Sequence, residues 1–143
     1  MPYKLIAAAL LLFVLHGCKK AEEVVCPTCA NDSVCTPEFR YYSVRILDAE
    51  SRPLRLDRFE TVALSNGKAL SRSVTSEELT LGHNTGFYPL VDDRHRAELG
   101  TCEKEYEFRG YAGEERLVSR KFVLRDDCCH VDLVSGDPYI TYP

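Results

Sequence analysis

The chain lacks any apolar run long enough to cross a bilayer as a helix. Its longest, Leu5–Leu15, holds eleven residues, against about 20 for a span. Glycine (8 of 143 residues) and proline (7) are too scarce for a fibrous or low-complexity chain. Basic residues are not in excess: 18 Lys+Arg face 22 Asp+Glu, for a net charge of −4. That balance argues against a nucleic-acid partner. No Gly-x-Ser-x-Gly, His-Glu-x-x-His, P-loop or dinucleotide-binding glycine pattern occurs, so no catalytic residue and no cofactor is expected. The paired carboxylates (Glu77-Glu78, Asp92-Asp93, Glu114-Glu115, Asp126-Asp127) are sequence neighbours. On a strand such neighbours point to opposite faces, so they do not converge for acid–base work. Long helical patterns alternating with strands are missing too, which excludes a doubly wound α/β fold.

What the chain does have is seven cysteines and 45% hydrophobic residues. Its 143 residues suffice for one domain with a core. That cysteine density is unusual for a cytosolic protein and points to an oxidising compartment. Lys4 followed by the apolar run Leu5–Leu15 suits a secretory signal over residues 1–17. Leu15-His16-Gly17-Cys18 then resembles the lipobox of bacterial lipoproteins. That resemblance implies cleavage before Cys18, a thioether-linked diacylglycerol on its sulfur and an acylated amino terminus. Several acyl chains, at about 0.8 kcal/mol per buried methylene, make such an anchor effectively permanent. The mature body is acidic, so the acyl chains rather than charge must hold it to a lipid surface. Lys19-Lys20-Ala21-Glu22-Glu23 looks like the basic-then-acidic signal that sends some lipoproteins of the Bacteroidota to the outer leaflet of the outer membrane.

Residues 18–39 read as a tether. They lack helical or strand periodicity and hold Cys26, Cys29 and Cys35 among prolines and small polar residues. Within the tether, Asp32-Ser33-Val34 resembles a short O-glycosylation site, with Ser33 as acceptor.

From Tyr41 the pattern has period two, and residues 40–143 read as the folded domain. Tyr42, Val44 and Ile46 share one face. Leu54 and Leu56 alternate with Arg55 and Asp57 after a break at Ser51-Arg52-Pro53. Phe59–Ser65 and Lys68–Val74 flank Asn66-Gly67, a hairpin signal for a type I′ turn. Thr75-Ser76-Glu77-Glu78 has capping-box spacing for one helical turn. Val91–Leu99 suits a short helix that Gly100 ends. Cys102, Lys104, Tyr106 and Phe108 share a parity opposite to Glu103, Glu105, Glu107 and Arg109. Leu117–Leu124 returns the chain, and Cys128–Val134 forms a last strand before Gly136-Asp137-Pro138. This predicts a mainly β, antiparallel β-sandwich with one or two short helical turns. Tyr42, Val44, Ile46, Tyr106 and Phe108 should face the core, and Glu103, Glu105 and Glu107 the water.

Tyr42–Leu56, the Asn-Gly hairpin, and Lys121–Gly136 with its Asp127-Cys128-Cys129-His130-Val131 segment resemble small lipoproteins of the Bacteroidota. Their mature part is a transthyretin-like or carboxypeptidase-regulatory-like β-sandwich, related in architecture to the immunoglobulin fold. The resemblance implies a fold and an envelope address, and no activity. The Asp-x-x-Gly-x-Pro-Leu turn of such sandwiches stands here as Asp48-Ala49-Glu50-Ser51-Arg52-Pro53-Leu54, without its glycine.

Six cysteines remain after lipidation, an even number that favours disulfides. Strand parity puts Cys129 with Val131 and Leu133, and Cys102 with Tyr106 and Phe108. A Cys102–Cys129 bridge is thus the first expectation, with Cys128 reaching Cys26, Cys29 or Cys35 in the tether. The alternative uses the same residues differently. Cys26-Pro27-Thr28-Cys29 has dithiol-redox spacing, and Cys128, Cys129 and His130 could ligate zinc or copper. The functional expectation is a lipid-anchored envelope module with a binding, adhesion or assembly role toward a protein or glycan, and no catalysis. The eight tyrosines would suit a ligand face, and core and edge packing in a sandwich accounts for them equally well.

Overall fold

Alternation over Tyr41–Leu47 (β1) produces the expected strand, with Val44 and Ile46 fully buried. The computed structural model describes residues 25–31 and 34–143. After β1 come β2 (Arg58–Ala63), α1 (Ser76–Thr85) and β3 (Phe87–Asp92). A 3-10 turn (Asp93–His95) leads into α2 (Arg96–Leu99). Then follow β4 (Lys104–Ala112), β5 (Glu115–Asp126), β6 (Val131–Ser135) and β7 (Tyr139–Thr141). The strands form two packed sheets in a β-sandwich-like arrangement, ordered β3-β1-β7 and β2-β4-β5-β6. The four-stranded sheet is antiparallel throughout, but β7 pairs with β1 in parallel, so the three-stranded sheet is mixed.

The core lies between the sheets. Phe59 packs edge-on against Tyr88, with ring centroids 5.4 Å apart, and stacks on Phe108 at 5.9 Å. Tyr106, Phe122, Leu124, Val131 and Ile140 complete it. Tyr88 keeps its hydroxyl satisfied in this setting: it donates to the Leu54 carbonyl at 2.7 Å and accepts from the Leu56 N–H at 3.1 Å. Burial pushes the Tyr88 phenol above its ordinary pKa.

Several elements differ from the sequence reading. Tyr42 is half-buried and packs on the rim of the core. Glu103 and Glu105 are exposed, but Glu107 is only 12% exposed, because Arg109 and Ser119 cover it. The chain does reverse at Asn66-Gly67, with Gly67 at φ +71°, yet Asn66 keeps a negative φ and the turn is not type I′. The Gly67 N–H bonds to the Ala63 carbonyl at 2.9 Å, and Lys68–Val74 contributes a single bridge, Val62 to Ala69, in place of a strand. The Thr75 capping box forms, and it opens a ten-residue helix rather than one turn. Gly86 ends that helix at φ +79°, where a Cβ would lie 2.6 Å from the Ile46 carbonyl oxygen. The close approach lets the Ile46 N–H bond to the Gly86 carbonyl at 2.8 Å. Strand β3 takes Val91 and Asp92 from the expected helix, and β7 lies beyond the last strand read from the pattern.

Candidate functional site

The two ends of the sandwich differ in chemistry. At one end meet the start of β1, the end of β3, the start of β4 and the β5–β6 turn. Three disulfides fasten the tether there. Cys26 pairs with Cys102, Cys29 with Cys128 and Cys35 with Cys129, with Cα–Cα distances of 4.7, 5.4 and 5.2 Å. The Cys102–Cys129 bridge expected from strand parity is not formed. Cys102 lies in a bend before β4, and Cys129 lies in the bend before β6, next to Cys128 at φ +80°, so neither pair member belongs to a strand. Parity carries no information outside a strand. Cys128 reaches the tether through Cys29. Cys26 and Cys29 go to separate loops rather than to each other, and Cys128 and Cys129 serve separate bridges. With all six sulfurs bridged, dithiol exchange or ligation by these cysteines would first need reduction. Among the described residues no group of three or more His, Cys, Asp or Glu side chains is placed to hold a metal ion.

A polar array fills in around the bridges. Asp93 Oδ2 lies 2.8 Å from His130 Nδ1 and accepts the Arg40 N–H at 2.7 Å, and its Oδ1 accepts the Val131 N–H at 2.8 Å. The far ring nitrogen of His130 lies 3.1 Å from the Thr36 hydroxyl. His130 is 5% exposed and both its nitrogens have protein partners. Asp127 accepts the Cys129 and His130 N–H groups and pairs with Arg40 at 3.0 Å. Asp126 accepts the Cys128 N–H and pairs with Arg96 at 2.9 Å. Burial opposes ionisation of Asp93 and Asp127, but these hydrogen bonds, and for Asp127 the Arg40 guanidinium, outweigh it. Both carboxyls are held below the usual carboxylate range. The sequence reading set Asp93 aside with the other paired carboxylates and did not single out Arg40 or Arg96. Each is an ordinary charged residue whose partner lies about 30 or more positions away.

The outer faces of the two sheets contrast as sharply. On the four-stranded sheet the outer face is charged and internally paired. Arg109 bonds Glu107 at 2.6 Å, Tyr111 donates to Glu60 at 2.8 Å, and Arg125 joins Glu103 and Asp132. Hydrogen bonds from Ser119 and then Arg109 hold the Glu107 carboxyl below its ordinary range. On the three-stranded sheet, register places Phe87, Arg45 and Tyr139 side by side across β3, β1 and β7. Their inward neighbours Tyr88, Val44, Ile46 and Ile140 are buried, so this row faces outward. Phe87 is 40% and Tyr139 64% exposed, and Tyr41 on the same strand as Arg45 is 69% exposed. With Phe39, which leads into β1, these are the exposed aromatics among the described residues. The Arg45 guanidinium carbon lies 5.3 Å from the Phe87 ring centroid. The row sits toward the end of β1 that lies away from the stapled tether.

Cys18 and Ser33, the lipidation and glycosylation candidates, lie outside the described residues. Comparison with protein-family models, with curated proteins and with solved structures gives no match.

Proposed function

We propose that this chain is a lipid-anchored binding module of the cell envelope. Cys18 carries the anchor, the stapled tether fixes the sandwich to it, and the outer face of the three-stranded sheet meets the partner. The role is binding, adhesion or assembly, without catalysis of its own, at the outer membrane on its periplasmic or surface side. The carrying observation is the pair of exposed aromatics, Phe87 and Tyr139, flanking Arg45 on the outer face of that sheet toward the end away from the bridges. Exposed aromatic and arginine side chains in one patch mark binding surfaces more often than chance packing does. The lipobox-like Leu15-His16-Gly17-Cys18 supports the anchor. The bridges support the tether, because disulfides persist outside the reducing cytosol.

The test is fractionation of cells producing the full chain. The wild type should appear in the membrane fraction, with an intact mass raised by acylation. Cys18→Ser should leave the chain unprocessed or soluble. Membrane retention of Cys18→Ser with normal processing would refute the anchor.

A further inference from the structure

We infer that the Phe87–Arg45–Tyr139 row binds an acidic polysaccharide. A pyranose ring lies on the Tyr139 face, and the carboxylate of the next sugar sits on the Arg45 guanidinium, which lies over Phe87. The inference rests on the binding-module reading above and names its partner.

Charge gives the first argument. Six arginines of the described chain are half-buried, and five of them have a carboxylate partner: Arg40, Arg72, Arg96, Arg109 and Arg125. Arg45 alone has none among the described residues, and its Nε is covered without a hydrogen-bond partner. A partly desolvated cation without a counter-charge is costly. A planar guanidinium is suited to taking a carboxylate through two parallel N–H donors. The Phe87 ring beneath it leaves that demand open, since a ring face attracts a cation without accepting its N–H groups in pairs.

Shape gives the second. The sheet is three strands wide, and neighbouring strands lie about 4.8 Å apart, so its face is roughly 10 Å across and about 20 Å long. That is a few hundred Å² at most, against about 800 Å² per partner in a standard protein–protein interface. A thin linear chain fits such a strip better than a globular surface does. Phe87 and Tyr139 stand on either side of Arg45, two strand spacings or about 10 Å apart. Two linked pyranose rings cover a comparable span, which sets one ring on Tyr139 and the other, with its carboxylate, over the Arg45 guanidinium that lies on the Phe87 ring. The axial C–H groups of a pyranose carry partial positive charge and meet the negative face of an aromatic ring, by the same quadrupole argument that orients aromatic pairs. With a net charge of −4 the chain does not draw an anionic polymer from a distance, so recognition rests on contact with this row.

The experiment is isothermal titration of the full chain, purified in detergent, with three probes of matched length. These are oligogalacturonate, a neutral β-linked glucose oligomer and poly-glutamate. Oligogalacturonate should bind at least about tenfold more tightly than either other probe. Arg45→Gln should abolish the preference for the acidic sugar over the neutral one. Phe87→Ala and Tyr139→Ala should each weaken oligogalacturonate binding about tenfold or more, with an unchanged far-UV circular dichroism spectrum. Equal binding of the neutral oligomer, or insensitivity to Arg45→Gln, overturns the acidic specificity. Poly-glutamate binding as tightly as the uronate overturns the sugar and makes the ligand an acidic peptide. Failure of a further panel of uronate- and sialate-bearing oligosaccharides overturns the inference outright. If Phe87→Ala and Tyr139→Ala nevertheless abolish retention of the chain on envelope preparations, the binding-module reading stands and only its ligand is wrong.

Discussion

Asp93 Oδ2 and His130 Nδ1 lie 2.8 Å apart, which ties the residue after β3 to the residue before β6 across the stapled end of the sandwich. The same carboxylate holds the Arg40 and Val131 N–H groups. One side chain therefore fixes the start of β1, the end of β3 and the start of β6 together.

The pH dependence follows from its depressed pKa. An unfolded aspartate titrates near about 3.9, and the folded Asp93 and Asp127 carboxyls lie lower. Their stabilisation is thus fully present above about pH 5 and is lost as pH falls through the folded values. Asp93→Asn should destabilise the chain at pH 7 by about 1–3 kcal/mol. In urea titrations that gap to the wild type should narrow as pH falls below about 4. A gap unchanged between pH 7 and pH 3 would show that the charge contributes nothing.

Peptide mapping without reduction should recover three cross-linked pairs: Cys26 with Cys102, Cys29 with Cys128 and Cys35 with Cys129. The bridges span 76, 99 and 94 positions of sequence, so each constrains a long loop in the unfolded chain. Replacing both Cys29 and Cys128 by serine should lower stability by about 2–4 kcal/mol. Free thiols at Cys128 and Cys129, or a Cys102–Cys129 peptide, would contradict the arrangement.

The core should be sensitive where the outer face is not. Phe108 is fully buried against Phe59, and Phe108→Ala should cost about 3–5 kcal/mol in chemical denaturation. Glu105→Ala, on the exposed face, should stay within about 0.5 kcal/mol. Glu107→Ala is not an equivalent control, because that carboxylate holds Arg109 and Ser119. Equal losses for Phe108→Ala and Glu105→Ala would refute the assignment of faces.

Strands β1 and β4 were legible in the sequence because each has one face buried and the other polar, which writes period two directly into Tyr41–Leu47 and Lys104–Ala112. The helix at Ser76 was legible at its start, since a capping box is a local signal, but its length depends on packing Gly82 against Tyr88. β3 was hidden by Pro89 and by consecutive buried residues at Leu90, Val91 and Asp92, which erase the alternation. β7 has three residues and forms only by pairing with β1, nearly a hundred positions earlier. Phe87 and Tyr139 belong to those two strands, so the aromatic row could not be assembled from the pattern. The cysteines failed for a related reason: Cys128 at φ +80° belongs to a turn, and the sequence alone extended the strand through it.

On the proposed reading the outer face of the three-stranded sheet does the binding. The most direct test is retention of the labelled Cys18→Ser chain on envelope preparations from the producing cell. Phe87→Ala combined with Tyr139→Ala should reduce retention at least about tenfold, the loss of roughly 1.4 kcal/mol. Glu105→Ala combined with Lys121→Ala, on the outer face of the other sheet, should leave retention unchanged. Full retention after loss of both aromatics, or an equal fall in the control, would contradict it.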